Sequence, residues 1–157
     1  MTTAGPTAAP STTPSVDGRV IGLAHYAGRA VLESVLAGHA ITFQQSVTLR
    51  LVAVAAEPVD RDRLAGQIVD SLKIDETAAR AVVEELVSAK LVEPDSARPS
   101  RLRVTDAGRE LYDRSSTETG VISARIYAGI PAEDLTVAGR VLALVTERAN
   151  SELAARK

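Results

Sequence analysis

Apolar and polar residues alternate with two different periods in the middle of the chain, between Asp60 and Glu110. Apolar residues spaced three or four apart predict helices, whereas strict alternation predicts a half-exposed strand. In chain order the pattern predicts a helix over 60–72, a turn at 73–75, a helix over 76–90, a short strand over 91–93, a turn at 95–100, a strand over 101–105 and a helix beginning at 106. Two helices followed by a hairpin form a winged helix-turn-helix, whose second helix can enter a major groove of DNA.

Helical spacing also precedes this central unit. Asp17 is the expected N-cap of a first helix that reaches Leu36, and Gly38 is its expected C-terminal stop. A second helix begins after Ile41–Thr42 and ends before Pro58. Its predicted apolar side consists of Phe43, Val47, Leu51, Val54 and Ala55.

The C-terminal third is helical as well. A long helix runs from Asp106 to about residue 128, Gly129-Ile130-Pro131 breaks it, and a final helix covers 132–154. The apolar stripe of that last helix consists of Leu135, Ala138, Val141, Leu142 and Val145. The predicted fold class is mainly α with a small β-hairpin wing, an α+β winged helix, with a helical dimerisation region built from the N- and C-terminal helices.

The first and last helices set the expected domain organisation. Residues 1–16 carry no charged side chain and are predicted to be a disordered Thr/Ala/Pro tail. Residues 17–157 form one domain, with dimerisation helices at 17–40 and 106–155 and the winged helix-turn-helix at 43–105. The winged unit is too small to cover both terminal apolar faces, which leaves two explanations. The terminal helices pack on each other within one chain, or, as we favour, they intertwine with a second copy.

Composition narrows the function classes. A chain of 157 residues, 45% hydrophobic, can bury one core, and without cysteine it has no disulfide or thiolate metal site. The apolar runs are short of a membrane span and the N-terminus lacks a signal-peptide pattern, so we expect a cytoplasmic protein that does not contact a membrane. No phosphate-binding loop, nucleophile elbow or metal-ligand spacing is present, so we expect no enzyme activity, no cofactor and no metal.

Charge is distributed unevenly. The net charge is −2, and residues 59–109 hold nine basic and ten acidic side chains, which is a neutral surface for a DNA-binding unit. Between Ser96 and Arg103, however, three arginines occur without an acid. Charges act over roughly 10 Å at ordinary salt, so a local basic hairpin can attract phosphate on an acidic protein.

From about Arg19 to Leu153 the chain resembles the MarR family of bacterial transcription regulators. The most specific match is an arginine, Arg98, seven residues before Thr105-Asp-Ala-Gly-Arg109. Other matching segments are 44–56, Leu64-Ala65, Val82-Val-Glu-Glu-Leu86 and Leu91-Val-Glu93. The chain departs from the family in a connection between the central helices that is about one turn longer, over 69–73, and in Lys90, where a glycine commonly ends the recognition helix.

The resemblance implies a homodimeric, ligand-responsive repressor that binds a pseudo-palindromic operator in double-stranded DNA and associates with the nucleoid when bound. Half-sites are expected about one helical turn, near 10 bp, apart. Repression would be steric, and a bound ligand would relieve it by holding the two reading heads at the wrong spacing. A second hypothesis is a winged-helix dimer that serves as a protein-interaction module with little DNA affinity. The near-neutral reading head and the acidic recognition helix favour this alternative.

On the recognition helix, the pattern predicts a buried face of Ala79, Val82, Val83 and Leu86 and an opposite face of Thr77, Arg80, Ala81 and Glu84. Arg80 either donates two hydrogen bonds to guanine or forms an i,i+4 ion pair with Glu84. Asp75 and Glu76 are expected to cap the helix rather than contact DNA, since carboxylates repel phosphate.

The remaining DNA candidates are cations. Arg98, Arg101 and Arg103 are expected to contact phosphates or the minor groove, or else to form a solvated edge that discourages aggregation. Arg61 and Arg63 could contact phosphates, although Asp60 and Asp62 lie beside them, and Lys73 in the turn is a similar candidate. The full predicted DNA-binding set is Arg61, Arg63, Lys73, Thr77, Arg80, Ala81, Arg98, Arg101 and Arg103.

The family resemblance also implies a small-molecule pocket between the dimerisation helices and the reading unit. The polar-aromatic residues placed to line it are His25, Tyr26, His39, Phe43 and Tyr112. The expected effector is a small aromatic or anionic metabolite. The alternative is that these side chains are structural.

Overall fold

The computed structural model describes residues 15–156. The predicted tail of residues 1–16 therefore lies, except for Ser15 and Val16, outside the described residues. The elements are α1 (Gly18–Gly38), α2 (Phe43–Ala53), β1 (Val59–Asp60), α3 (Arg61–Leu72), α4 (Glu76–Ser88), β2 (Val92–Pro94), β3 (Arg101–Val104), α5 (Asp106–Tyr127) and α6 (Ala132–Ala155). The chain divides into two compact units, one up to Ser116 and one from Thr117 onward.

The first unit closes a core around α2, α3, α4 and the sheet. Leu64, Ile68 and Leu102 are completely buried there. The other buried members of the cluster are Leu36, Ile41, Leu49, Val52, Ala79, Val83, Leu86, Val92 and Leu111. These residues come from α1 through α5, so the helices and the small sheet share one interior.

Capping side chains fix the starts of four helices. Asp17 accepts from the Val20 backbone N–H at 2.8 Å, which confirms the predicted N-cap of α1. Thr42 and Gln45 form a reciprocal capping box at the start of α2. Asp60 accepts from two N–H groups of α3, and Asp75 accepts from Ala78 N–H at 2.8 Å at the start of α4. Each cap satisfies donors that the first helical turn leaves unpaired.

Three helices are followed, within two residues of their last position, by a left-handed residue that is not glycine. These residues are Ala40 (φ 54°), Lys73 (φ 55°) and Lys90 (φ 58°). Helix α1 ends at Gly38 as predicted, but the left-handed residue that reverses the chain is Ala40. The predicted helix over 60–72, with Asp60 as its N-cap, and the predicted turn at 73–75 are confirmed, and only the assignment of residues 69–73 to a longer connection was wrong. Residues 69–72 belong to α3, and the turn to α4 is only residues 73–75.

The sheet has three antiparallel strands in the order β1-β3-β2. The predicted hairpin is confirmed, with Val92 paired to Val104 and Glu93 to Arg103. Strand β1 was not predicted, because two residues are too few to show an alternating pattern. It pairs with β3 through Val59 and Leu102, and it leads directly into α3.

The buried side of α2 differs from the predicted one. Its buried residues are Thr48, Leu49, Val52 and Ala53. Of the predicted side, Phe43 and Leu51 lie at the margin of the core, and Val54 is 60% exposed. Thr48 can be buried because its hydroxyl donates to the Gln44 carbonyl at 2.9 Å.

The second unit contains the end of α5 and the whole of α6, and α6 has no buried residue. Four members of its predicted stripe, Leu135, Val141, Leu142 and Val145, are 36–42% exposed. Gly129 (φ 79°) and Pro131 form the predicted break between α5 and α6.

Helix α1 has enough length and apolar character to cross a membrane, whereas the apolar runs of the sequence predicted no such segment. A single helix of this kind is weak evidence for a span, since helices of soluble proteins pass the same test. Only Val35 and Leu36 of α1 are buried, whereas Leu23 and Tyr26 are 61% and 68% exposed.

Candidate nucleic-acid interface

Helix α4 separates an apolar face from a polar one as predicted. Ala79, Val82, Val83 and Leu86 are buried. The residues of the opposite face, Thr77, Arg80, Ala81 and Glu84, are all exposed. The second helix of the helix-turn-helix therefore presents one polar surface to solvent while its other side anchors it in the core.

Arg80 is held by two carboxylates. Its Nε and Nη2 donate to Glu76 Oε1 at 2.9 and 2.7 Å, and Nη2 also lies 2.9 Å from Asp62 Oδ1. The hydrogen bond to Glu76, followed by the one to Asp62, raises the pKa of Arg80 above its ordinary value. The predicted ion pair with Glu84 was wrong in its partner, because Glu84 bonds to Arg61 instead.

Arg61 connects the wing, the start of α3 and the exposed face of α4. Its backbone N–H donates to the Ser100 carbonyl at 3.1 Å, at the end of the turn between β2 and β3. Its Nη1 donates to Glu84 Oε1 at 2.5 Å on α4. Arg61 itself begins α3, so the wing, the start of α3 and the exposed face of α4 are adjacent. A shallow cleft of about 230 Å³ lies between α3 and α4, lined by Arg61, Ala65, Arg80, Val83 and Glu84.

The three arginines of the wing differ in their surroundings. Arg103 is paired with Glu93 across the hairpin at 2.5 Å, and Arg101 lies 3.9 Å from Glu57. The backbone of Arg98 is fixed by its N–H to Asp95 Oδ2 at 3.0 Å and by its carbonyl to Arg101 N–H at 2.8 Å. Within residues 15–156 no acidic partner of the Arg98 guanidinium is found. Arg98 is therefore the wing cation best placed to donate hydrogen bonds to a phosphate.

Two further candidates lie on opposite ends of α3. Arg63 lines a groove of about 520 Å³ together with Arg101, Glu57 and the segment between α2 and β1. Lys73 ends α3 in the left-handed conformation, next to the start of α4. Ten residues of helical rise separate their Cα atoms by about 15 Å.

Solved structures identify the fold. A MarR-family transcriptional regulator from Rhodococcus sp. RHA1 aligns with a TM-score of 0.68 at 18% identity, covering 82% of this chain and 92% of the other. CouR from Rhodococcus jostii RHA1, bound to p-coumaroyl-CoA, gives 0.68 at 18% identity over 82% and 90%. A MarR-family protein from Mycobacterium tuberculosis, in complex with DNA, gives 0.64 at 21% identity over 84% and 98%. The chain has the MarR fold. No protein-family model and no curated protein sequence matches it.

In this MarR fold the Thr105–Arg109 motif holds the wing to α5. The Thr105 hydroxyl donates to the Lys90 carbonyl at 2.7 Å and accepts from Gly108 N–H at 3.0 Å. A Cβ on Gly108 would lie 2.0 Å from the Leu91 carbonyl oxygen, so only glycine fits. Arg109 Nη1 donates to the Ala53 carbonyl at 2.6 Å and thereby ties α5 to the end of α2. The Thr105–Arg109 part of the sequence resemblance is therefore structural.

The five residues predicted to bind an effector lie in different surroundings. His25 and Tyr26 are exposed and meet edge-to-face at 5.4 Å between ring centroids. The guanidinium of Arg29 stacks 4.5 Å from the centre of the Phe43 ring, while Tyr112 packs against the core. His39 is half-buried and caps the end of α1. None of the five lines either of the two clefts described above, so their role in ligand binding stays a prediction.

Proposed function

We propose that this protein is a sequence-specific DNA-binding transcription regulator that acts as a homodimer. The observation that carries the proposal is the position of Arg61, which bonds to the wing through its backbone and to α4 through its side chain. This arrangement aligns the exposed face of α4 with the basic wing on one surface. Such a surface fits a duplex, with a helix in the major groove and the wing on the adjacent backbone.

The exposed apolar stripes support the homodimer. Helix α1 exposes Leu23 and Tyr26, and α6 exposes four members of its predicted stripe, Leu135, Val141, Leu142 and Val145. Large apolar side chains that lie exposed together on one helix face mark interaction sites. A second copy of the chain brings the same helices, and a two-fold dimer would present two copies of α4 to two half-sites about one turn of DNA apart.

Ligand-bound structural neighbours support a ligand-responsive regulator, and we propose repression as the finer form of this function. One neighbour is bound to p-coumaroyl-CoA and another to p-aminosalicylic acid. We propose that a small aromatic or anionic molecule binds near His25, Tyr26, His39, Phe43 and Tyr112 and changes the spacing of the two reading heads. Calorimetry against aromatic acids tests this part, and absence of binding to the whole series would refute it.

One observation favours the alternative function, a protein-interaction module. Helix α4 has a single cation, Arg80, and both of its carboxylate neighbours lie on the same surface. A surface of this charge attracts phosphate weakly. The wing is therefore the region where the two functions predict different results.

The first experiment is fluorescence anisotropy on promoter DNA flanking the protein's own gene, at two salt concentrations with random competitor DNA. DNA binding predicts tight, salt-sensitive association that survives the competitor. Arg98→Ala should then weaken binding to every sequence by at least about tenfold and reduce the salt slope by about 2, since each subunit of the dimer loses one phosphate contact.

The matched control is Arg114→Ala on α5, an exposed arginine that pairs with Glu110 within its own helix. It removes the same charge away from the wing and α4, and it should change DNA affinity less than twofold. If neither the wild-type protein nor any variant binds DNA at low salt, the interaction-module function is the correct one.

A further inference from the structure

The DNA-facing surface is cross-linked by ion pairs between α3 and α4. Two arginines, Arg61 and Arg80, meet three carboxylates, those of Asp62, Glu76 and Glu84, at 2.5–2.9 Å. The side chains of Asp62 and Glu76 are 80% and 66% exposed. These carboxylates therefore have no role in the buried core, yet they occupy the surface where a duplex would bind.

The way in which Arg80 is held limits the contacts that it can make. Its Nε–H and one Nη2–H point to Glu76, and Nη2 also reaches Asp62. A bidentate contact to guanine uses two neighbouring N–H groups on different nitrogens, so it always includes Nη2. Arg80 must therefore leave at least one carboxylate before it can bind guanine in this way.

The same carboxylates affect phosphate and guanine differently. A phosphate that approaches Arg80 is an anion and meets repulsion from Asp62, Glu76 and Glu84. The O6 and N7 atoms of guanine are uncharged acceptors and do not meet that repulsion to the same degree. Carboxylates at this place therefore weaken binding to any backbone more than they weaken binding to the correct base pair.

We propose that Asp62 and Glu76 are specificity-determining residues that hold Arg80 away from phosphate and so suppress binding to random DNA. This inference rests on the proposed DNA-binding function and adds to it the source of sequence discrimination. It also accounts for the near-neutral charge of the reading head: the carboxylates lower total affinity, and the ratio of operator binding to random binding increases.

The test is the double variant Asp62→Asn/Glu76→Gln, which keeps the size of both side chains but removes their charge and one acceptor oxygen from each, so that Arg80 loses both ion pairs. Affinities are measured by anisotropy for the operator duplex and for a random duplex of equal length over a salt series. We expect random-duplex affinity to rise at least about tenfold and its salt slope to steepen by about 2, because the freed Arg80 of each subunit gains one phosphate contact. Operator affinity should rise less than threefold, so discrimination falls.

A matched control removes one carboxylate from each of the same two helices without touching Arg80. Asp70→Asn/Glu85→Gln does this, since Glu85 accepts from Gln45 and Asp70 lies on the last turns of α3. The control should change both affinities by the same small factor. If the control matches the double variant, or if the double variant raises operator and random affinity equally, the proposal is wrong and only net charge matters.

A readout without DNA separates this proposal from the proposed function. In the ¹⁵N spectrum of the free protein, the Arg80 Nε–H should exchange slowly in the wild type and fast in the double variant. Unchanged exchange would overturn the inference, because the ion pairs would then not hold Arg80. A wild-type protein that prefers no duplex would instead overturn the DNA-binding function, whatever the spectrum shows.

Discussion

The two units of the chain differ in how far their apolar residues are buried. In the first unit, Leu64, Ile68 and Leu102 are completely buried by residues of the same chain. In the second unit, α6 repeats apolar residues at helical spacing just as regularly, but none of them is buried. A periodic stripe predicts that a helix has a partner surface, and it does not say which molecule provides that surface.

This difference separates what one chain can do from what requires a second copy. The winged unit has a closed core and should be stabilised by contacts within the chain. The stripe of α6 gains stability only when it is covered, and each fully buried leucine or valine is worth about 1.5–3 kcal/mol. Substitutions in the two units should therefore differ in whether their effect depends on protein concentration.

The largest effect is expected for Leu142→Asp/Val145→Asp on α6. Two carboxylates in a dimer interface would remain unpaired and desolvated, so the dimer should dissociate to the 16.5 kDa chain. DNA affinity should fall by about 100-fold or more, because two linked half-site contacts become independent. Light scattering after size exclusion and anisotropy on the operator measure the two results.

The control for this pair is Thr136→Asp/Ala143→Asp, which adds the same two carboxylates. At 100° per residue these positions lie on the side of α6 opposite the stripe. The control should remain dimeric and bind DNA with wild-type affinity. If the stripe variant also remains dimeric, the apolar face of α6 is not the dimer interface. The stripe would then not need a second copy of the chain to cover it.

The second largest effect is expected inside the winged unit, for Gly108→Ala. The added Cβ would meet the Leu91 carbonyl oxygen at 2.0 Å and Val104 Cγ2 at 2.9 Å, so the backbone of the wing would have to move. We expect a net loss of about 2–3 kcal/mol in the free energy of unfolding, after the gain of about 1 kcal/mol from helix propensity. Urea denaturation at several protein concentrations measures it.

Gly66→Ala on α3 is the matched control, because a Cβ added at Gly66 would have no neighbouring atom within 4 Å. It should stabilise the protein by up to about 1 kcal/mol. A loss at Gly108 that varies with protein concentration would show that the wing contact depends on the dimer.

The sequence was sufficient for parts of the fold with a strong local signal. Helix α4 was predicted with its buried face because Ala79, Val82, Val83 and Leu86 stand at ideal helical spacing among polar residues. Helix α2 was predicted as a helix but with the wrong buried side. Apolar residues surround it on several sides, so periodicity could not select Leu49 and Val52.

The partners of Arg80 show why the site was harder to predict than the fold. Glu76 and Glu84 both stand four residues from Arg80, so the local sequence could not choose between them. The choice depends on Asp62 from another helix and on Arg61, which draws Glu84 away. Contacts between helices follow from the packing of the core, which the sequence pattern does not specify.

A smaller effect is expected for Thr105→Val, which removes the hydroxyl that links the wing to α5. The Lys90 carbonyl loses a donor and Gly108 N–H loses its acceptor, so the free energy of unfolding should fall by about 1–2 kcal/mol. Thr105→Ser keeps both hydrogen bonds and should lose less than half as much. A loss for Thr105→Ser, which lacks only the methyl group, as large as that for Thr105→Val, which lacks only the hydroxyl, would contradict the larger role of the hydroxyl.

The smallest effect, which is a stabilising one, is expected for Lys90→Gly at the end of α4. Lys90 adopts φ 58°, and Lys90 N–H and Leu91 N–H bond to the Val87 and Leu86 carbonyls in the pattern that favours glycine at this position. Relief of left-handed strain should stabilise the protein by about 1 kcal/mol.

Ala89→Gly, one residue earlier at φ −76°, should destabilise it instead. Thermal melts at two protein concentrations should show the same shift at both, because this strain lies within the closed unit. A destabilised Lys90→Gly variant would mean that the lysine side chain contributes more to the end of α4 than its backbone strain costs.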